Sequence, residues 1–253
     1  MSSGTSYFQK KLRLATFAFR RIPRLGLRKA LRLVKDRAVG YTALELSQQL
    51  PEQADIVVDV GAHRGVVSEA LGLVLRSKRL ISVEPFPQHH AELMSRLGRL
   101  KGFELVPEAL SDAAGEVVFH AHEFDAASSM FVAQPGHLEK FGFSGASRDI
   151  TVKTTTLAAL MAAKHLPHID LLKLDCQGAE LAVLKGAGDR IGDVRAIFVE
   201  VSFEPVYLQA PLFPEVHQWL NDHGFTLVRM ENFAGAKGRT QWADALYLRH
   251  PST

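Results

Sequence analysis

Cysteine is almost absent from this chain: Cys176 is the only one. That excludes an intrachain disulfide and any zinc site built on paired cysteines, and is compatible with a reducing compartment. Long apolar runs are absent too. None approaches the roughly 18–20 residues that cross a bilayer, and no uninterrupted apolar core of a secretory signal is present. Acid is missing from one end. Residues 1–40 hold eleven Lys/Arg (Lys10, Lys11, Arg13, Arg20, Arg21, Arg24, Arg28, Lys29, Arg32, Lys35, Arg37) against Asp36, a local +10 that leaves −7 for the rest of a chain of net charge +3. The body is therefore mildly acidic and offers no general nucleic-acid face. What is there is ordinary globular material, 47% hydrophobic and 23% charged over 253 residues. That is enough for one α/β domain with a substantial core and an appendage.

The chain is organised around IVVDVGAHRGVVSEALGLVLRSKRLISVE, residues 56–84. The β-branched run Ile56–Val58 ends in Asp59, Gly61 and Gly65 make a turn, a helical pattern starts near Val66, and a second strand, Leu80–Val83, ends in Glu84. Strand, tight turn, helix, strand and acid make half of a nucleotide-binding α/β unit. Glycines let backbone approach a ligand closely, and an acid closing the second strand can accept from both ribose hydroxyls. The spacing G-x-x-x-G is not the G-x-G-x-x-G that places a pyrophosphate on a helix N-terminus. An adenosine ligand without pyrophosphate, such as S-adenosylmethionine (SAM), suits it better than NAD.

Downstream, the patterns predict a helix at His89–Leu97 and strands at Phe103–Val106, Glu116–His120 and Ile150–Thr154. Thr156 is a plausible N-cap for Leu157–Lys164. Ile169–Leu174 reads as a strand ending in Asp175, followed by a helix from about Ala179 to Lys185 and a strand at Ala196–Val201 carrying Glu200. Phe213–His223 reads as a helix, with closing strands at Phe225–Met230 and Ala243–Arg249. Alternating strands and helices predict a largely parallel sheet covered on both faces. The closing pair, joined without a helical pattern, should be antiparallel neighbours. Residues 124–147 have no clear period and suit a lid or acceptor loop.

Residues 8–39 alternate apolar and basic positions, and Pro23 and Gly26 divide them into two short helices. Three readings stay open: a basic amphipathic segment on an anionic membrane surface, an Arg-rich presequence weakened by Asp36, and a helical appendage packed on the domain. The division expected is a basic extension, 1–40, and a catalytic domain, 41–253.

The words VVDVGAHRG (57–65), SVEPFP (82–87), EALSDAAGEVVF (108–119), DLLKLDCQGAELAVLKGA (170–187) and IFVEVSFEPVY (197–207) together resemble the FkbM-type SAM-dependent methyltransferases, a branch of the class I superfamily. The resemblance spans about Asp55 to Arg249. It implies a Rossmann-like fold with a mostly parallel seven-stranded sheet, helices on both faces and an antiparallel C-terminal strand. SAM is the implied cofactor. By resemblance, Asp59, Gly61 and Gly65 form the loop under its amino-acid end and Glu84 holds the ribose hydroxyls; His63 and Pro85 are also expected to contact the cofactor, although His63-Arg64 stands where the family often has a small polar residue. Glu108, Ala109 and Leu110 lie beside the adenine, and Asp175 near the transferred methyl. Where the family commonly has Val-Glu-Gly after that aspartate, this chain has Cys176-Gln177-Gly178, which puts the identity of the general base in doubt.

Transfer to a hydroxyl needs donor and acceptor aligned and a proton removed. Candidates for the proton at C-terminal strand ends are Asp175 first, then Glu200 and Glu180. Asp175 could equally cap the following helix or hold the amino group of SAM. His63 could orient a ligand or be an exposed turn residue. His120, His122 and Asp125 loosely imitate a metal site without a third ligand at diagnostic spacing, so no metal is expected. Ser128, Ser129, Met130 and His137 fall in the loop expected to meet the acceptor. Cys176, with no partner histidine at recognisable spacing, reads as a packed small residue.

The expected activity is O-methylation of a hydroxyl of a sugar, a glycan or a related small molecule. The family suggests the substrate class. Alternatives are an RNA or protein methyltransferase, or a non-catalytic SAM-binding module. KLDCQG in place of an NPPY-type word, and the lack of clustered stacking aromatics, speak against RNA. A cytoplasmic location is expected, with peripheral contact at the inner face of the membrane through residues 8–40.

Overall fold

The computed structural model describes residues 14–20, 27, 31, 42, 46–51, 53–122, 147–235 and 239–250. Residues 124–146 of the expected loop, with Asp125, Ser128, Ser129, Met130 and His137, most of the 8–40 segment, and the side chains of His120 and His122 lie outside the described residues.

The elements alternate as the patterning predicts. They are β1 (Ile56–Val60), α1 (Val66–Val74), β2 (Arg79–Val83), α2 (Pro87–Leu97), β3 (Phe103–Val106), β4 (Ala109–Leu110), β5 (Gly115–His122) and β6 (Ser147–Thr155), then α3 (Leu157–Ala163), β7 (Leu171–Leu174), α4 (Glu180–Lys185), β8 (Ala196–Ser202), α5 (Phe213–Asp222), β9 (Phe225–Ala234) and β10 (Trp242–Arg249). Seven strands form one sheet in the order β3-β2-β1-β7-β8-β10-β9. Its first five strands are mutually parallel, whereas β10 runs antiparallel to both β8 and β9. The strands at 115–122 and 147–155 do not extend this sheet. They pair with each other and with β4 in a separate three-stranded sheet, fastened by Phe86, Ala109, Phe119 and Val152.

Strand alternation decides which helices each side chain meets. Ile56, Val58 and Val60 of β1 join Leu172 and Leu174 of β7 in a cluster completed by Leu160, Leu184 and Leu220 of α3, α4 and α5. Val57 and Leu171 point the other way, to Leu71 of α1 and Leu93 and Leu97 of α2. All five residues of β1 are buried, so this strand is covered on both faces. Thr156 caps α3 by accepting from the Ala159 N–H at 3.1 Å.

At the other end of the chain, residues 14–20 are helical. Leu14, Phe17 and Ala18 are buried there while Phe19 stays exposed. Asn232 of β9 donates to the Thr42 hydroxyl at 3.0 Å, joining the polypeptide before β1 to the far edge of the sheet.

Candidate active site

The alternation that builds the core also places a row of polar residues on one sheet face. Asp59 is in register with Ser82 on one side and Lys173 on the other, and Glu200 is in register with Asp244. These residues occupy the strand positions that face α1 and α2, and Asp175 follows β7 at once in the same alternation. The row lies towards the C-terminal ends of the parallel strands, where open α/β sheets bind their ligands.

The β1–β2 end is closed by local contacts. Gly61, at φ +78°, brings its backbone so near the end of β7 that an added Cβ would sit 1.9 Å from the Asp175 carbonyl oxygen. Only glycine fits there. The Gly61 and Ala62 N–H groups donate to the Val83 carbonyl at 3.0 and 3.1 Å. Asp59 is fully buried: its Oδ2 accepts from Ser68 Oγ at 2.5 Å, and its Oδ1 stands 3.0 Å from Lys173 Nζ. Ser68 also meets the Ser82 hydroxyl at 2.9 Å. Asp59 therefore shapes the glycine loop from beneath.

Glu84 is buried, and its carboxylate is held from three directions. Oε2 accepts from the His63 N–H at 2.7 Å, and Oε1 accepts from the Phe86 N–H at 2.9 Å and from His89 Nδ1 at 3.2 Å. His90 Nε2 donates to the Glu84 carbonyl at 2.7 Å. The contribution of His63 to Glu84 is thus a backbone N–H, while its ring packs edge-on against His89 with centroids 4.1 Å apart. A carboxylate accepts about four hydrogen bonds. Glu84 is prearranged and retains capacity on Oε2, which fits a ribose hydroxyl. Pro85 is half-buried between Glu84 and Phe86, Glu108 is half-buried before β4, and Ala109 and Leu110 are buried within it.

The β7–β8–β10 end is built differently. Lys173, in the middle of an apolar strand and 4% exposed, places Nζ 3.5 Å from Asp175 Oδ2 and 3.4 Å from the Gly61 carbonyl, besides its pairing with Asp59. Burial opposes its charge, but Asp59, Asp175 and Asp244 together outweigh burial and raise its pKa above the ordinary lysine value. Two carboxylates therefore share one buried ammonium.

Asp175 Oδ1 accepts from Gln177 Nε2 at 2.9 Å. The same amide nitrogen lies 3.4 Å from Glu200 Oε1, and Gln177 Oε1 accepts from the Tyr207 hydroxyl at 2.8 Å. Glu200 is half-buried. Its pKa is well above the usual carboxylate range, first through burial and then through the charges of Asp175, Glu180 and Asp244. Glu180 is turned into its own loop, accepting the Cys176 N–H at 2.8 Å and the Gly178 N–H at 2.9 Å. Burial pushes its pKa up to about 7 against those hydrogen bonds. Asp244, which accepts from Asn232 Nδ2 at 2.7 Å, is pushed up to about 6, chiefly by burial. The Cys176 thiol is raised as well, by burial and then Glu180, and stays protonated.

Among the described residues, Asp59, Gly61, His63, Gly65, Glu84, Pro85, Asp175, Glu180 and Glu200 lie near the C-terminal ends of the parallel strands or in the turns that follow them, and Glu108, Ala109 and Leu110 lie at β4. Sequence reasoning missed Ser68, Lys173, Gln177 as a bridging group, Tyr207 and Asp244. Lys173 had a readable signal: a lysine inside a buried apolar strand requires a partner. Tyr207 and Asp244 had none, because only the fold brings them to Asp175. Among the described residues, no three His, Cys, Asp or Glu side chains cluster closely enough to hold a metal ion.

This strand order, with its antiparallel β10, is that of the Rossmann-like class I methyltransferase fold. The family described as "Methyltransferase FkbM domain" matches residues 59–227, well over half of the chain, and the chain belongs to it. A crystal structure of methyltransferase FkbM from Methylobacillus flagellatus superposes with a TM-score of 0.50 at 13% identity, covering 83% of this chain and 53% of that one. The 2-O-methyltransferase NoeI of Sinorhizobium fredii is 30% identical over 161 residues, 60% of this chain and 65% of NoeI. The chain thus matches just under two thirds of that relative's length. The hexuronic acid methyltransferase AglP of Haloferax volcanii is 23% identical over 208 residues, 79% of this chain and 80% of AglP.

Proposed function

We propose that this protein is a SAM-dependent O-methyltransferase acting on a hydroxyl of a sugar, a glycan or a related small molecule. The observation that carries it is the carboxylate row at the C-terminal strand ends, in which Glu84 is fixed for a diol and Glu200 has a raised pKa. The activities named for NoeI and AglP support a sugar-like acceptor.

In this reading the donor lies over the Gly61–Gly65 turn, with Glu84 on its ribose and Glu108, Ala109 and Leu110 beside its adenine. SAM would supply an electrophilic methyl on a sulfonium, so that the acceptor oxygen forms its new bond to carbon as the carbon–sulfur pair returns to sulfur. The chain's own task is to place the hydroxyl and take its proton. Glu200 takes that role ahead of Asp175. Both oxygens of Asp175 are engaged, by Gln177 and Lys173, whereas Glu200 has one long hydrogen bond from Gln177 and a raised pKa. A general base needs a lone pair within hydrogen-bond reach of the hydroxyl proton. Asp175 would lie towards the sulfonium and, with Lys173, would set the local charge. Glu180 shapes the turn beneath it.

The functional division in this reading is a catalytic domain, 41–253, and a basic segment, 1–40, that holds the enzyme to an anionic membrane surface on the cytoplasmic side. Eleven basic residues against one acid support this contact. No helix among the described residues is long and apolar enough to span a bilayer. Co-sedimentation with anionic vesicles tests it: loss of binding on deleting residues 1–40 is expected, and equal binding refutes the contact.

Catalysis is tested by calorimetric titration with SAM and by mass spectrometry of saccharide and glycolipid acceptors incubated with SAM. One added methyl mass that is lost in Glu200→Gln, with SAM binding retained, is the expected result. Absence of SAM binding by the intact chain rejects the reading.

A further inference from the structure

We propose that Gln177 is a positioning residue that couples Asp175 and Glu200 into one unit, with Tyr207 fixing the orientation of its amide. This rests on the methyltransferase reading for its catalytic meaning, though not for its geometry. The bridging amide joins groups from three parts of the fold: Asp175 at the end of β7, Glu200 on β8, and Tyr207 in the connection after β8.

The direction of the amide follows from donor and acceptor chemistry. An ionised carboxylate only accepts, so the NH2 faces Asp175 and the ionised form of Glu200, while the amide oxygen faces a donor among the described residues, the Tyr207 hydroxyl. Tyr207 is 4% exposed. Its pKa is raised, first by burial and then by Glu200, Glu180 and Asp175, so it remains a donor throughout the working pH range. The backbone supports the same arrangement. Gln177 has φ 55°, in the left-handed region, followed by Gly178 at φ 99°. A non-glycine residue held there is strained, and the surroundings must offset that strain. In this turn, Glu180 secures the neighbouring Cys176 and Gly178 N–H groups, and the Gln177 side chain reaches back to the carboxylates.

A neutral donor is what this position requires. A third carboxylate there would face two others and could donate to neither unless protonated, and an aliphatic side chain would leave both without the bridge. Among the described residues, the charged and titratable groups acting on Glu200 are Asp175, Glu180, Asp244, Lys173 and Tyr207. Lys173 is the sole cation of this set and is already paired with Asp59 and Asp175. The amide therefore supplies Glu200 with a donor that its neighbours do not.

Isotope-labelled glutamate side-chain carboxyl carbons in the full chain report the titration directly, with the Glu200 signal assigned by its loss in Glu200→Gln. In Gln177→Ala the Glu200 midpoint is expected to rise by about one pH unit, because the charged form loses a donor. It should rise further in Gln177→Glu and less in Tyr207→Phe. Calorimetry should show SAM affinity within about threefold of the parent, a small change on the free-energy scale. Thermal unfolding confirms that each variant folds, and Tyr207→Phe carries the test if the Gln177 variants do not. An unmoved Glu200 midpoint overturns the proposal. A loss of SAM affinity matching the titration shift also overturns it, since Gln177 would then act on the donor. If the parent chain fails to bind SAM, the methyltransferase reading falls while the titration still decides the coupling.

Discussion

The two ends of the polar rim solve the same problem by different means. At the β1–β2 end, Glu84 is held chiefly by backbone N–H groups, those of His63 and Phe86, with the His89 ring beside them. At the β7–β8–β10 end side chains do the holding, Lys173 and Gln177 for Asp175, and two links come from other elements, Tyr207 to Gln177 and Asn232 to Asp244. The first arrangement is rigid and its hydrogen bonds are nearly complete, as suits one invariant ligand. The second keeps carboxyls of raised pKa in a half-buried setting, as suits proton traffic. A neutral amide there does what backbone N–H groups do at the other end.

Substitutions can break this contrast. The largest effect is expected at Glu200: Glu200→Gln should lower kcat by about 10²- to 10⁴-fold, the usual worth of a general base, with SAM affinity little changed. If both fall together, the two ends are not functionally separate. Next is Lys173→Met, which leaves Asp59 and Asp175 facing each other without their shared cation. A loss of about 3–5 kcal/mol in urea unfolding is expected, partly restored by adding Asp59→Asn. A loss below about 1 kcal/mol, the level of a surface pair, would show that the row is not electrostatically linked.

Glu180 tests the pH sign. Its folded pKa, raised from 4.5 to about 7, favours the protonated form in the fold. The stability it confers is full below about pH 4.5 and lost as pH rises through about 7, on the order of 3 kcal/mol in all. Glu180→Gln keeps a carbonyl acceptor for the turn and should flatten that decline, read from unfolding midpoints across the interval. The smallest effect is expected at the other end. Glu84→Gln sets an amide donor against the N–H groups of His63 or Phe86 and should weaken SAM binding about 30-fold by calorimetry, comparable to one charged hydrogen bond. An unchanged affinity would remove Glu84 from the donor site.

The same contrast explains what could be read from the sequence. VVDVGAHRG and SVEPFP are local words: strand, glycine turn and acid follow one another, and the elements they specify stand where the patterning puts them. The antiparallel closing strands were legible from a connection too irregular for a crossover helix. The separate sheet of β4, β6 and β5 was not, because alternation gives a strand's faces but not its partners. Glu180 shows the limit within the site. Its position suggested chemistry, and only the fold reveals its oxygens bound to the turn before α4. Tyr207 and Asp244 reach Asp175 through tertiary placement alone.

The strand order has a kinetic consequence. β10 follows β8 and β9 in sequence yet lies between them, so β9 has no place in the sheet until residues 242–249 arrive. A refolding chain must hold the edge of β8 open until that insertion, exposing unpaired backbone beside an apolar strand. Asp244 enters the rim in the same movement. The zipper that seals this edge is thus the one that completes the polar rim, and a molecule trapped short of it would be both sticky and unfinished at its candidate site.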